Sequence, residues 1–144
     1  MNAVGVVVRV ALGVLLVVTG ALKVGHAPDL ASAIAGFRLL PGAIVAPMAI
    51  ILPYFELLIG GYLIVGLFTR ICAAVAAAQF TIYAAAIASA VIRNIPANCG
   101  CFGPHHQATA DWPHVAFDLA LALLAAFVAT RAPGRFALDG RLSK

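Results

Sequence analysis

With 144 residues, 64% of them hydrophobic, only 10% charged and a mean hydropathy of +1.07, the chain has too little polar surface to cover a water-soluble domain of its size. It reads as an integral membrane protein. A net charge of +4 and a pI near 9.4 raise nucleic acid as a partner, but the basic residues are scattered and form no stripe interleaved with aromatics, which sets that class aside.

The first apolar tract, about residues 4–22, is long enough to cross roughly 30 Å of hydrocarbon at 1.5 Å per residue. It lacks a basic start and a small-residue cleavage site, so a retained span is expected rather than a secretory signal. Arg9, one to two turns from its start, is expected to snorkel to the near surface and to take no part in chemistry. In the connection that follows, Asp29 is expected to cap a short helix carrying Leu30, Ile34 and Phe37, ended by Leu40-Pro41 and lying flat on the membrane interface. Three further spans are expected at about 43–68, 71–92 and 114–130, the middle two joined by a tight link at Thr69-Arg70. Gly13, Gly20, Gly60, Gly61 and the alanines of the third span allow close approach of helix backbones. The fold expected is all-α: a polytopic membrane four-helix bundle with a short interfacial helix in its first outer loop, a single domain over 1–144.

Four spans return both termini to one side, together with Arg70, Arg131, Arg135, Arg141 and Lys144. The other side has Lys23, Arg38 and Arg93. The positive-inside rule then puts the termini in the cytoplasm and the connection 93–113 outside, on a cell inner (plasma) membrane.

That outer connection contains Cys99-Gly100-Cys101-Phe102-Gly103. Two thiols one residue apart can close a disulfide only through a tight bend, which Gly100 permits. Strain in so short a ring favours reduction, and cross-linking near neighbours removes little entropy from the unfolded chain, so the pair suits redox exchange better than stapling. On the outer side such bonds persist. Cys72 belongs to the opposite end of the third span and reads as a small packing residue. His105 and His106 with the two thiols make a possible tetrahedral zinc set, but the spacing is cramped and no metal is favoured.

Among the buried polar residues, Glu56 is costly within its span unless protonated or paired. Gln79 is a possible hydrogen-bond partner, and Lys23 can reach it only if the second span sits shallower in the membrane. Glu56 is either a proton donor to a bound quinone or a lock on helix packing. Asp118, about one turn into the last span, either pairs with Arg93 or lies in a site where Arg93 or Lys23 keeps the potential positive and favours a thiolate. Trp112 is an interfacial anchor or a platform for a quinone ring.

Gly20 with Lys23, the stretch Phe37-Arg38-Leu39-Leu40-Pro41, Pro53 with Glu56, and above all Cys99-Gly100-Cys101-Phe102-Gly103 resemble the MauE branch of the DoxX-like membrane proteins, over nearly the whole chain. The resemblance implies a bundle similar in style to vitamin K epoxide reductase and DsbB-type enzymes, and a role in forming disulfides in an extracytoplasmic partner. The chain departs from the vitamin K reductase pattern in having one residue between its cysteines and no second outer pair, and in reading Phe117-Asp118 where an Arg-Asn or Arg-Asp pair is expected.

The expected function is therefore a membrane thiol-disulfide oxidoreductase exchanging electrons between a protein thiol or disulfide and a membrane quinone. Cys99 and Cys101 are the catalytic pair, with Glu56, Lys23, Arg38, Trp112 and Asp118 around the quinone. The partner would be a thioredoxin-like or disulfide-bonded substrate protein. The alternatives are a non-catalytic subunit that anchors or assembles a larger redox complex in the membrane lipid, and a soft-metal transporter.

Overall fold

The structure is a computed structural model that describes residues 3–100 and 108–131. Five helices follow one another: α1 (Ala3–Lys23), α2 (Ala27–Gly36), α3 (Gly42–Val65), α4 (Thr69–Ile92) and α5 (Trp112–Arg131). Four of them, α1, α3, α4 and α5, are long and apolar enough to cross a membrane. Their polarity is inverted with respect to a soluble bundle. Leu123 is 72% exposed and Ile71 63%, whereas Arg9, Lys23, Glu56 and Asp118 are all buried inside. An apolar outside and a polar minority inside is what hydrocarbon selects, since charge is tolerated only where protein surrounds it. The chain is a multi-pass helical membrane protein.

Alpha-helical hairpins account for the packing: α1 lies along α3 and α4 along α5. Between α1 and α3 the approach is set by glycine. A Cβ placed on Gly13 would stand 2.8 Å from the Gly60 carbonyl oxygen, and one on Gly20 2.8 Å from that of Pro53. Gly61 faces open space and takes no part in this contact. Because the two helices run antiparallel, these contacts put Lys23 level with Ile50. The first turns of α3 thus continue roughly 12 Å past the end of α1. Helix α2 packs against α3 in that overhang.

The core of the bundle is apolar, with Leu12, Leu16, Leu63, Phe80, Ala125 and Val128 among its members. Cys72 lies within it, its sulfur 3.9 Å from the Leu67 carbonyl oxygen. At this end Arg70 Nε donates to the carbonyl of Ala129 at 3.2 Å, tying the start of α4 to the end of α5.

Four local expectations are corrected. The tight link is not Thr69-Arg70, which are already helical, but the three residues before them. Gly66, at φ +77°, ends α3 in the left-handed region, and its N–H and that of Leu67 both donate to the Tyr62 carbonyl. Asp29 does not cap α2. His26 holds that position, Pro28 and Asp29 fill the first turn, and the helix stops at Gly36 with Phe37 as its C-cap, short of Leu40-Pro41. Leu30 on α2 is buried, and with Ile34 and Phe37 it closes a cavity inside the protein. Arg9 does not snorkel: it is 2% exposed, on the inward stripe of α1 that also carries Leu12, Leu16 and Lys23.

Candidate functional site

The site forms where α1 ends early. Lys23, last residue of α1, points back toward the start of its own helix, the direction in which helical side chains lean, and so reaches down to Glu56. Its Nζ donates to both carboxylate oxygens at 2.9 Å. The two side chains are 3% and 1% exposed. Lys23 therefore does reach Glu56, because α3 is displaced outward along α1. Gln79, the other expected partner, donates from Nε2 to Glu56 Oε1 at 3.0 Å and to the Tyr83 hydroxyl at 3.0 Å. The Tyr83 hydroxyl donates to Glu56 Oε1 at 2.6 Å, and the Lys23 ammonium lies 5.6 Å from the centre of the Tyr83 ring. Three helices thus converge on one carboxylate, and the charge of Glu56 is balanced and multiply hydrogen-bonded.

Tyr83 went unnoticed in the sequence. Its signal was its place one turn after Gln79 on the same face of α4, since a buried tyrosine carries a hydroxyl that needs a partner.

Above this cluster lies the thiol segment. Asn98 and Thr109 form an antiparallel bridge, in which the Cys99 N–H donates to Ala108 O at 2.8 Å and the Ala110 N–H to Ala97 O at 2.9 Å. The Gly100 N–H donates to the Asn98 side chain at 3.1 Å. Gly100 has φ +64°, and a Cβ on it would stand 3.0 Å from that of Ala33 on α2. Glycine is thus required twice, for the backbone and for the contact. Cys99 is disulfide-bonded and buried. Cys101, His105 and His106 lie outside the described residues. Arg93, at the end of α4, donates to the Phe37 carbonyl at 3.1 Å and braces the segment against the end of α2.

Three cavities surround these groups. An apolar one of about 230 Å³ between α2, α3, α4 and the thiol segment has Cys99 and Gly100 in one wall and Lys23 and Tyr83 in another, the rest being side chains such as Phe37, Leu52 and Ile87. A more polar one of about 350 Å³ runs between α2 and residues 96–100 and also borders Lys23. A third, of about 20 Å³, lies between Lys23, Glu56 and Tyr83 on one side and His114 and Asp118 on the other. Lys23 is common to all three.

Of the residues expected around a quinone, Lys23 and Glu56 are brought together and Asp118 lies across the small cavity from them. Asp118 does not pair with Arg93, whose guanidinium is engaged with Phe37; it is 5% exposed and faces inward. Arg38 and Trp112 are outside the cluster. Arg38 is exposed, at φ +51° in the bend after α2, and Trp112 is 57% exposed at the start of α5. Trp112 thus has the setting of an interfacial anchor rather than of a platform in the cavity.

The start of α5 has a cap that the sequence reading passed over. Asp111 Oδ1 accepts the backbone N–H of His114 at 3.0 Å and meets its Nδ1 at 2.5 Å. The hydrogen bond from the His114 side chain, then that from its backbone, holds the Asp111 carboxyl below its ordinary pKa of 3.8.

The family model for the methylamine utilisation protein MauE matches residues 1–131. The methylamine utilization protein MauE of Paracoccus denitrificans is 31% identical over 126 residues, which cover 87% of this chain and 68% of the relative. That of Methylophilus methylotrophus is 39% identical over 98 residues, 67% of this chain and 52% of the relative. The chain thus spans about two thirds of the length of the first and half that of the second. No solved structure matches. With a glycine-packed helical bundle, a cysteine pair in its longest polar connection and a family match over nine tenths of its length, the chain belongs to the MauE family of methylamine utilisation proteins.

Proposed function

We propose that this protein is a thiol-disulfide oxidoreductase of a methylamine utilisation system, which moves electrons between protein thiols and a membrane quinone through Cys99 and Cys101. The supporting observation is that the disulfide-bonded Cys99 shares an apolar cavity with Lys23, whose ammonium keeps one N–H beyond the two given to Glu56 and can donate it to a carbonyl oxygen.

A thiolate of an extracytoplasmic substrate attacks one sulfur of the loop disulfide, forming a mixed disulfide as the other loop sulfur leaves as thiolate. The second substrate thiol displaces the first loop sulfur. The substrate is then oxidised and the loop is a dithiol. As Cys99 and Cys101 re-form their bond they release two electrons and two protons, and a bound quinone takes up the same number to become the quinol. The residues present suit such a group. About 230 Å³ is less than the 300–1,000 Å³ of typical ligand sites, so there is room for a single ring whose tail passes out among the helices. Lys23 orients a ring oxygen, and the apolar walls exclude water from the reaction. In this reading the thiol end faces away from the cytoplasm and both termini face into it, so that substrates meet the loop in an oxidising compartment.

Cys99→Ser and Cys101→Ser are each expected to abolish dithiol-dependent reduction of a short-chain quinone by the purified protein, and one of them to trap a mixed disulfide with the substrate. Retention of full turnover in both variants sinks the proposal. If both variants still support methylamine utilisation in cells, the bundle acts as a membrane assembly subunit and the thiols are incidental.

A further inference from the structure

The 20 Å³ cavity beneath Lys23 gathers titratable groups that thiol exchange does not use. A site of about 10–15 Å³ with two to four polar partners is enough to hold one water molecule. Here the partners are Lys23, Glu56 and Tyr83 facing Asp118 and His114. Asp118 is 5% exposed, and its Oδ2 has no hydrogen-bond partner among the described residues. A carboxyl oxygen buried inside a membrane bundle calls for a partner, and one water in this cavity would supply it. The line of polar groups also runs to the surface, since His114 stands one turn before Asp118 on α5 and its Nδ1 meets Asp111 at the half-exposed start of that helix. In the other direction Lys23 and Tyr83 form part of the wall of the apolar cavity next to Cys99.

We propose that this cavity is a water-filled proton site, and that His114 and Asp118 feed protons through it to Lys23, which hands them to the oxygens of the electron acceptor. The inference rests on the oxidoreductase reading and adds the proton route. The two loop thiols lose two electrons and two protons in forming their bond, the protons leaving on the thiol side, and the acceptor gains two electrons across the apolar cavity. It needs two protons on its oxygens. The Lys23 ammonium gives one, is refilled from Asp118 through the water, and Asp118 is refilled from His114; a second cycle supplies the other. Around Asp118 the facing groups are Lys23 from α1, Glu56 from α3, Tyr83 from α4 and His114 from its own helix. Lys23 also borders the outer polar cavity with His26 and Asp29. Its Nζ, however, points inward, bonded to Glu56.

The test uses the full chain in lipid nanodiscs with dithiothreitol as donor and a short-chain benzoquinone as acceptor. Asp118→Asn is expected to slow quinone reduction by about tenfold or more, while the opening of the Cys99 disulfide by dithiothreitol, followed without quinone, keeps its rate. His114→Ala is expected to slow turnover and shift its pH profile, with added imidazole restoring the rate; His26→Ala is expected to do neither. In quinone-free protein, an infrared carboxyl band sensitive to heavy water is expected to vanish in Asp118→Asn and to return, displaced, in Asp118→Glu. Wild-type turnover in Asp118→Asn overturns the route, as does a loss in His26→Ala with none in His114→Ala. If Asp118→Asn fails to fold, His114→Ala and its imidazole rescue decide. If the wild-type protein opens its disulfide but reduces no quinone, the oxidoreductase reading fails and the route fails with it.

Discussion

At one end of the bundle three residues, Gly66 to Phe68, turn the chain, whereas at the other it needs the connections 24–41 and 93–111. The short-turn end is packed mainly with apolar side chains, Leu63, Ala73 and Val128 being fully buried, although Arg9 and Thr69 are buried there too. The opposite end has cavities and buried ions. The difference arises from helix length and register. Where α1 and α3 run side by side, glycines bring their backbones into contact and leave no space; beyond Lys23, α3 has no α1 to pack on. Helix α2 and the thiol segment cover that gap without filling it, and the ends of Lys23, Glu56 and Tyr83 meet at its floor. A membrane bundle can form cavities and a buried ion pair without a dedicated domain by letting one helix stop early.

The strongest way to break this contrast is to remove the ion pair at the floor of the gap. Lys23→Met leaves Glu56 buried without its counter-charge, and a loss of about 3–5 kcal/mol of stability is expected. Lys23→Met combined with Glu56→Leu is expected to recover much of it, as read by denaturant unfolding in detergent. Equal losses in the single and double variants mean that the pair does not hold the helices.

A smaller effect tests the closed half. Gly60→Val puts a branched side chain where even a Cβ would stand 2.7 Å from the Gly13 carbonyl oxygen, and a cost of about 1–3 kcal/mol is expected. Gly61→Ala, facing open space, is expected to stay within about 0.5 kcal/mol of wild type. If the two glycines respond alike, the register that creates the gap is wrong.

The smallest effect sharpens the comparison at the open end. Asp111 caps α5 as a carboxylate, and its pKa is lower in the folded protein than its ordinary 3.8, so its contribution is present above that value. It is lost as the pH falls through the lowered folded pKa. Asp111→Ala is therefore expected to lower the unfolding midpoint at neutral pH, and the difference from wild type is expected to shrink on acidification below the ordinary carboxylate range. A difference that is constant with pH removes the cap from the account.

Much of the fold was legible because it follows from local composition. The apolar tracts at 4–22, 43–68, 71–92 and 114–130 correspond to α1, α3, α4 and α5, with ends that differ by up to three residues. The closest discrepancy in meaning is at Thr69-Arg70, where Gly66 rather than the polar pair ends the helix. The contact of Gln79 with Glu56 was also within reach, since a polar pair inside hydrocarbon has few other partners. The fate of Arg9 was not legible, and for Asp118 the sequence leaves open the choice between pairing with Arg93 and lying near Lys23, across whose cavity it stands. Charge near a helix end invites snorkelling or pairing with the nearest opposite charge, but which face a residue occupies depends on how the helix is rotated against its neighbours. Arg38 and Trp112 share their place along the chain with the site, but Arg38 is exposed in the bend after α2 and Trp112 at the start of α5.

The sequence alone determined that the chain crosses the membrane as helices, that its thiols sit in a polar connection between spans, and that Gly13, Gly20 and Gly60 allow close contact, because hydropathy, chain order and the absence of a side chain are properties of the residues themselves. Only the tertiary structure decided how far α3 slides past α1. That displacement brings Lys23 down onto Glu56, adds Tyr83 to the pair and opens the cavity beside Cys99, because it is fixed by contacts between residues some thirty to sixty positions apart, which no local pattern encodes.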